Sequence, residues 1–162
     1  MAALTTLGIV HTAISIVALV SGVVVLMRDR RITSGSGLGK LYLISTVLTA
    51  LTGLGIFQHG GFGPPHVLAI LTLLAISFGI FAERSPFFGG WAKYLVAVAY
   101  SATVLFHFIP GVTETSTRLP VGSPLLASAE DPILQKVYGV LFVVFAIGLV
   151  LQLRWLRAGP AR

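Results

Sequence analysis

The amino-acid sequence predicts an all-α polytopic membrane protein with five transmembrane helices. Of its 162 residues, 56% are apolar and only 10% are charged, whereas soluble domains carry about 25% charged residues. No Lys, Arg, Asp or Glu occurs in four long segments: 1–27, 41–82, 94–113 and 137–153. Because a spanning helix needs roughly 20 apolar residues, the second segment is long enough for two spans. A soluble enzyme, a nucleic-acid-binding protein and a disordered chain are therefore excluded.

The first span is predicted over about 4–27, where it ends against Arg28, Arg30 and Arg31. A cleaved signal peptide has its basic residues before a shorter apolar core, so this segment is predicted to be an uncleaved helix. Glycine and serine at 33–37 form a flexible turn. The second span is predicted over about 40–58.

The third and fourth spans are delimited by proline and glycine. The sequence Gly60-Gly61-Phe62-Gly63-Pro64-Pro65 divides the long charge-free segment, because proline disrupts a helix interior but suits a first turn. The third span is therefore predicted over about 65–82. The fourth is predicted over about 91–109, with Pro110-Gly111 as its end.

A polar loop is predicted over 111–131, before the last span. Within it, Glu114 and Arg118 have the spacing of an ion pair on one helical turn. Asp131 is predicted to cap the fifth span, about 132–155, with Pro132 in the first turn. Residues 1–162 are predicted to form a single transmembrane domain.

The basic residues predict the orientation of these spans. With five spans and the N-terminus outside, nine of the eleven Lys and Arg residues lie on the inner side, and only Arg118 and Lys136 lie on the outer side. Cytoplasmic loops carry such an excess of basic residues. The C-terminus is therefore predicted to be cytoplasmic, and the 111–131 loop periplasmic.

Three spans carry stripes of small or polar residues at steps of three or four, which place them on one helix face. Membrane helices pack through such stripes, so three histidines within them are expected to point at neighbouring helices. The stripes are Gly8, His11, Ser15, Ala18 and Gly22 in the first span, Tyr42, Ser45, Thr49, Thr52, Ile56 and His59 in the second, and Lys93, Ala97, Tyr100, Val104 and His107 in the fourth.

All four histidines of the chain, His11, His59, His66 and His107, fall in the predicted outer half of the membrane. Ionisable groups inside membrane segments are costly and usually mark a functional path or a cofactor. Imidazole is a common ligand of transition metals and of haem iron. The sequence therefore predicts a histidine-lined metal or haem site near the periplasmic face, with a redox or metal-handling role.

Two forms of this site remain open. A zinc or iron ion takes three or four nitrogen or oxygen ligands, which the four histidines and Glu114 would supply if Pro110-Gly111 turns the outer loop over the bundle. A single haem b needs only two axial histidines, for which His11 and His107 are the better-buried pair. Copper(I) is disfavoured because the chain has no cysteine and only two methionines.

Two segments carry a resemblance to known proteins. The residues KLY and TALTGL within 40–54, and FHFIPGVTET and RLP within 106–120, resemble those of small uncharacterised bacterial integral membrane proteins. More distantly, the histidine-bearing helices resemble the membrane domains of b-type cytochromes. The resemblance implies a location in the bacterial inner membrane.

Two other functions compete with a metal or haem site. One is a non-catalytic accessory subunit, whose seams dock the helices of a membrane partner or of a second copy. The other is a small-solute transporter, which is disfavoured because no span is predicted to hold an internal Pro-Gly break or a buried acidic residue. No nucleotide-binding loop or nucleophile motif assigns a catalytic residue.

Overall fold

The computed structural model describes residues 5–57 and 61–159, and contains five α-helices that are long and apolar enough to cross a membrane. No strand occurs in these two ranges. The predicted all-α class and its five spans are thus confirmed. The helices are α1 (Thr6–Asp29), α2 (Gly37–Leu54), α3 (Pro64–Arg84), α4 (Ala92–Arg118) and α5 (Pro132–Ala158), with a short 3-10 helix, Pro86–Trp91, leading into α4.

Side-chain caps explain where three helices begin. The Thr5 and Ser36 hydroxyls accept first-turn N–H groups of α1 and α2 at 3.1 and 3.0 Å, and the Asp131 carboxylate accepts one of α5 at 2.9 Å. Such caps satisfy backbone donors that have no partner within the helix. The predicted start of the fifth span at Asp131 and Pro132 is confirmed.

The prediction that Pro110-Gly111 ends the fourth span is wrong, because α4 continues to Arg118. The expectation that no span holds an internal Pro-Gly sequence is therefore also wrong. Proline removes one backbone donor, yet the helix continues through the next two turns, where three threonine hydroxyls donate to carbonyls of the preceding turn. Glu114 and Arg118 pair across these turns, as their spacing predicts. Glu114 therefore belongs to a helix and not to a loop folded over the bundle, and the loop before α5 is 119–131.

Other boundaries differ from the predicted spans by about one turn. Helix α2 begins at Gly37 and ends at Leu54, so the predicted end of that span near 58 is too late. Helices α1, α3 and α5 extend to Asp29, Arg84 and Ala158. Hydropathy marks the apolar length of a span, whereas a helix continues through charged residues that reach the interface.

Helices α1 to α4 form a ring in which each packs on the next and α4 also contacts α1, while α5 lies outside and packs along α4. Large buried side chains fill the ring, among them Val25, Tyr42, Ile76 and Tyr100. The predicted stripes are confirmed as packing seams, since most of their described members are buried: Gly8, Ala18 and Gly22 of α1, Tyr42, Ser45 and Thr49 of α2, and Ala97, Tyr100, Val104 and His107 of α4.

Candidate functional site

His11 projects from α1 onto α2, where its Nδ1 lies 3.0 Å from the hydroxyl oxygen of Thr52. The single hydroxyl proton of Thr52 is directed to carbonyls of its own helix, at 2.7 and 3.0 Å. The oxygen of Thr52 is therefore left to accept a hydrogen bond, and Nδ1 of His11 donates it. In a neutral imidazole this leaves an unshared electron pair on Nε2.

His107 projects from α4 across the middle of the ring and also reaches α2. Its Nε2 lies 3.1 Å from the hydroxyl oxygen of Thr46, and only 8% of the residue is exposed. The ring of Tyr42 meets it edge to face at 6.2 Å between centroids. Because α4 runs on to Arg118, His107 lies about three turns inside the helix and not within a turn of its end, as the predicted span implies.

Further hydroxyl contacts continue this polar line through the bundle. Ser15 of α1 contacts the Thr49 hydroxyl of α2 at 3.5 Å, and Tyr42 of α2 contacts the Thr103 hydroxyl of α4 at 2.5 Å. Thr103 donates its own proton to the carbonyl of Tyr100, so Tyr42 is the donor in the shorter contact. Helix α2 is therefore the shared polar partner of both histidine-bearing helices.

His11 lies in the first half of α1, whereas His107 and Glu114 lie in the second half of the antiparallel helix α4. Glu114 itself is paired with Arg118 on the same face of α4, and about half of its side chain is exposed. Two imidazoles and one carboxylate thus share the same half of the bundle. Glu114 lies on the same helix as His107, about two turns nearer its end.

His66 lies apart from this polar line, at the start of α3. Its Nδ1 accepts the backbone N–H of Gly63 at 3.2 Å, and its ring stacks between Phe57 and Phe62 at 4.6 and 5.2 Å. Since Nδ1 is the acceptor, the proton of the neutral ring is on Nε2, which is buried without a partner among the described residues. This nitrogen is a hydrogen-bond donor and has no electron pair for a metal.

The structure brings together only part of the predicted ligand set. Across 5–57 and 61–159, no three His, Asp or Glu side chains are close enough to hold one metal ion. His59, predicted as a further ligand, falls outside the described residues. Of the predicted ligands, His11 and His107 are the two whose imidazoles face helix α2.

Thr46, Thr103 and Gln152 are absent from the predicted seams and yet make interhelical hydrogen bonds. Gln152 of α5 accepts from Ser101 of α4 at 2.9 Å, and Thr46 and Thr103 meet His107 and Tyr42. The sequence signal that could have identified them is a polar side chain within a charge-free span.

Comparison of the chain with protein-family models, with curated proteins and with solved structures found no match.

Proposed function

We propose that this chain is an integral membrane protein of the bacterial inner membrane in which His11 and His107 bind a transition-metal ion, zinc or iron, near the periplasmic face. The observation that carries the proposal is that both imidazoles are turned inward and that each is hydrogen-bonded to a threonine of α2. A redox or metal-handling role follows from an ion held there.

The chemistry of His11 suits a ligand. Metal-binding histidines almost always donate their second ring N–H to a fixed acceptor, which orients the ring. Thr52 is such an acceptor for Nδ1, so Nε2 is the nitrogen offered to the ion. His107 uses Nε2 for Thr46 and would bind through Nδ1.

Two imidazoles alone do not complete a coordination shell, because zinc takes four ligands, of which water is often one. Glu114 is the proposed third protein ligand, since it lies on α4 about two turns beyond His107, in the half of the bundle that holds both histidines. It would have to exchange its pairing with Arg118 for the metal. That pairing is partly exposed to solvent, where ion pairs contribute about 0–1 kcal/mol, so the exchange costs little.

Packing between the histidines favours a small ion over haem. A porphyrin is a wide flat group that needs a slot between helices. Here Tyr42, Thr46 and Thr103 are buried between α2 and α4, in direct contact across the ring. A single ion, by contrast, needs far less space between the helices than a porphyrin does.

The test is elemental analysis and an absorption spectrum of the full chain purified in detergent, after equilibration with zinc or iron(II). We expect about one ion per chain, and His11→Ala and His107→Ala should each lose most of it. His66→Ala is the matched control and should retain the ion, because its ring lies in a separate aromatic contact. Glu114→Gln should weaken binding without abolishing it.

Three outcomes would contradict a small-ion site. A Soret absorption band that is present in the wild type and lost in both His11→Ala and His107→Ala would identify the ligand as haem b. Full metal content in His11→Ala and His107→Ala would remove these residues from the site. Wild-type protein with neither metal nor haem would favour the accessory-subunit alternative, for which α5 is the docking element, since it packs along α4 and leaves the rest of its apolar surface exposed.

A further inference from the structure

A cavity of about 240 Å³ lies at the end of the bundle opposite the histidines. It is formed where α1, α3 and α5 end and α4 begins, and Arg31, Thr33, Glu83, Lys93 and Leu156 contribute to its wall. Pockets for drug-sized ligands measure about 300–1,000 Å³. This one suits a smaller, polar group.

Glu83 supplies a fixed negative charge to the cavity wall. Its two carboxylate oxygens accept the backbone N–H of Ser34 at 3.0 and 3.2 Å, and one of them accepts the Tyr100 hydroxyl at 3.1 Å. These donors are neutral, so they orient the carboxylate without cancelling its charge. Glu83 also lies in the last turn of α3, where the helix dipole disfavours an anion, and a bound cation would offset this cost.

Lys93 and Arg31 supply positive charge to the same cavity. Lys93 donates one of its three ammonium protons to the carbonyl of Leu156 at 2.9 Å and has two left. Within the described ranges, ion pairs shorter than 4.0 Å join only Arg28 to Asp29 and Arg118 to Glu114. The cavity is therefore lined by opposite charges that do not neutralise each other by direct contact.

We propose that this cavity binds the headgroup of an aminophospholipid, with the primary ammonium on Glu83 and the phosphate on Lys93 and Arg31. A zwitterion of this kind matches one fixed carboxylate and two cations around a small volume. The position of the cavity at the ends of helices long and apolar enough to span a membrane favours a lipid as the source of this headgroup. Tryptophan is enriched at membrane interfaces. Trp91 and Trp155 directly precede Ala92 and Leu156, which line the cavity.

The ammonium contact sets the expected selectivity. A primary ammonium donates hydrogen bonds to a carboxylate, whereas a trimethylammonium has no N–H to donate. Phosphatidylethanolamine should therefore bind more tightly than phosphatidylcholine. Phosphatidylglycerol shares the phosphate but lacks the cation for Glu83, so it should also bind more weakly.

The experiment is native mass spectrometry of the delipidated full chain, titrated separately with these three lipids and with free phosphoethanolamine. The preference for phosphatidylethanolamine should be about tenfold, the size expected from one charge-assisted hydrogen bond. Glu83→Gln, which keeps an acceptor oxygen for Ser34 and Tyr100, should remove the preference. Arg31→Gln should weaken all three lipids, and Arg154→Gln, outside the cavity wall, should weaken none.

Three results would overturn the proposal. Equal binding of phosphatidylethanolamine and phosphatidylcholine would contradict the ammonium contact, as would a preference that survives Glu83→Gln. Free phosphoethanolamine bound as tightly as the lipid would overturn the lipid assignment and leave a soluble zwitterion as the ligand. The metal content of the protein does not enter this test, so the two proposals fail separately.

Discussion

The ring of Tyr100 lies directly against the backbone of Gly79, so that a β-carbon added at Gly79 would be 2.3 Å from Cε1 of the tyrosine. Gly22 and Tyr42 repeat this relationship between α1 and α2, with a closest approach of 2.6 Å. Both tyrosines are fully buried. In membranes, close approach at small residues supplies much of the packing energy between helices, so these two glycines determine how near their helices come.

Gly79→Ala should lower the stability of the bundle by about 1–3 kcal/mol, because the added methyl group displaces the Tyr100 ring from a filled core. Gly148→Ala is the matched control, since no side chain or neighbouring helix in the described part of the chain lies within 4 Å of a β-carbon there. Thermal unfolding in detergent would compare the two variants. Equal midpoint temperatures of unfolding for the two variants would contradict the close contact between Gly79 and Tyr100.

Thr52→Val should reduce metal affinity by about 10–100-fold, the usual effect of removing a group that orients a ligand. Valine keeps the shape of the side chain but cannot accept the proton on Nδ1 of His11. Thr115→Val is the control, because that residue is exposed and its hydroxyl donates to the carbonyl of Gly111 on its own helix. Equilibrium dialysis with zinc would measure both affinities, and unchanged binding in Thr52→Val would exclude an orienting role.

Gln152→Leu should weaken the attachment of α5. The amide of Gln152 donates to the carbonyl of Arg30 at 2.8 Å and accepts from Ser101 at 2.9 Å, and hydrogen bonds between membrane helices average about 0.6 kcal/mol each. A loss of about 1 kcal/mol is expected. Ser101→Ala removes only one of the two bonds and should cost about half as much in the same denaturation assay.

The two variants also form a double-mutant cycle. If the bond between Ser101 and Gln152 contributes, the double variant should lose less than the sum of the single losses. Strict additivity would show that the bond contributes nothing to the attachment of α5.

A reporter enzyme fused after Arg162 should be active only in the cytoplasm, and one inserted near Ser123 only in the periplasm. The reason is the distribution of basic residues, nine on one side of the five spans and two on the other. Reporters on the same side would contradict α5 as a membrane span, and with it the five-span topology. Exchanged sides would leave five spans but reverse the orientation.

The sequence was most informative where the signal is local. Charge-free length identified the five spans, and the Asp131-Pro132 pair marked the start of α5. It misplaced the end of α4, because proline is a strong local signal for a helix end, yet the helix continues past Pro110 to Arg118, which pairs with Glu114. That error also placed Glu114 in a loop.

The candidate site was predicted only in part, because the residue pattern of one helix is a local signal. The three- and four-residue period of α1 and α4 indicated that His11 and His107 face neighbouring helices, which the contacts with α2 confirm. The period does not say which neighbour they meet. Thr46 was therefore missed as the partner of His107, and the separate aromatic contact of His66 was not foreseen.

The sequence by itself determined the helical class, the number of spans and the faces on which they pack, because apolar length and residue period are properties of each segment alone. Only the tertiary structure decided that Thr52 orients His11, that Tyr42 reaches Thr103 across the ring, and that Glu83 and Lys93 line one cavity. These pairings depend on the order and rotation of the helices around the ring. That arrangement arises from close packing at residues far apart in the chain, and no single segment encodes it.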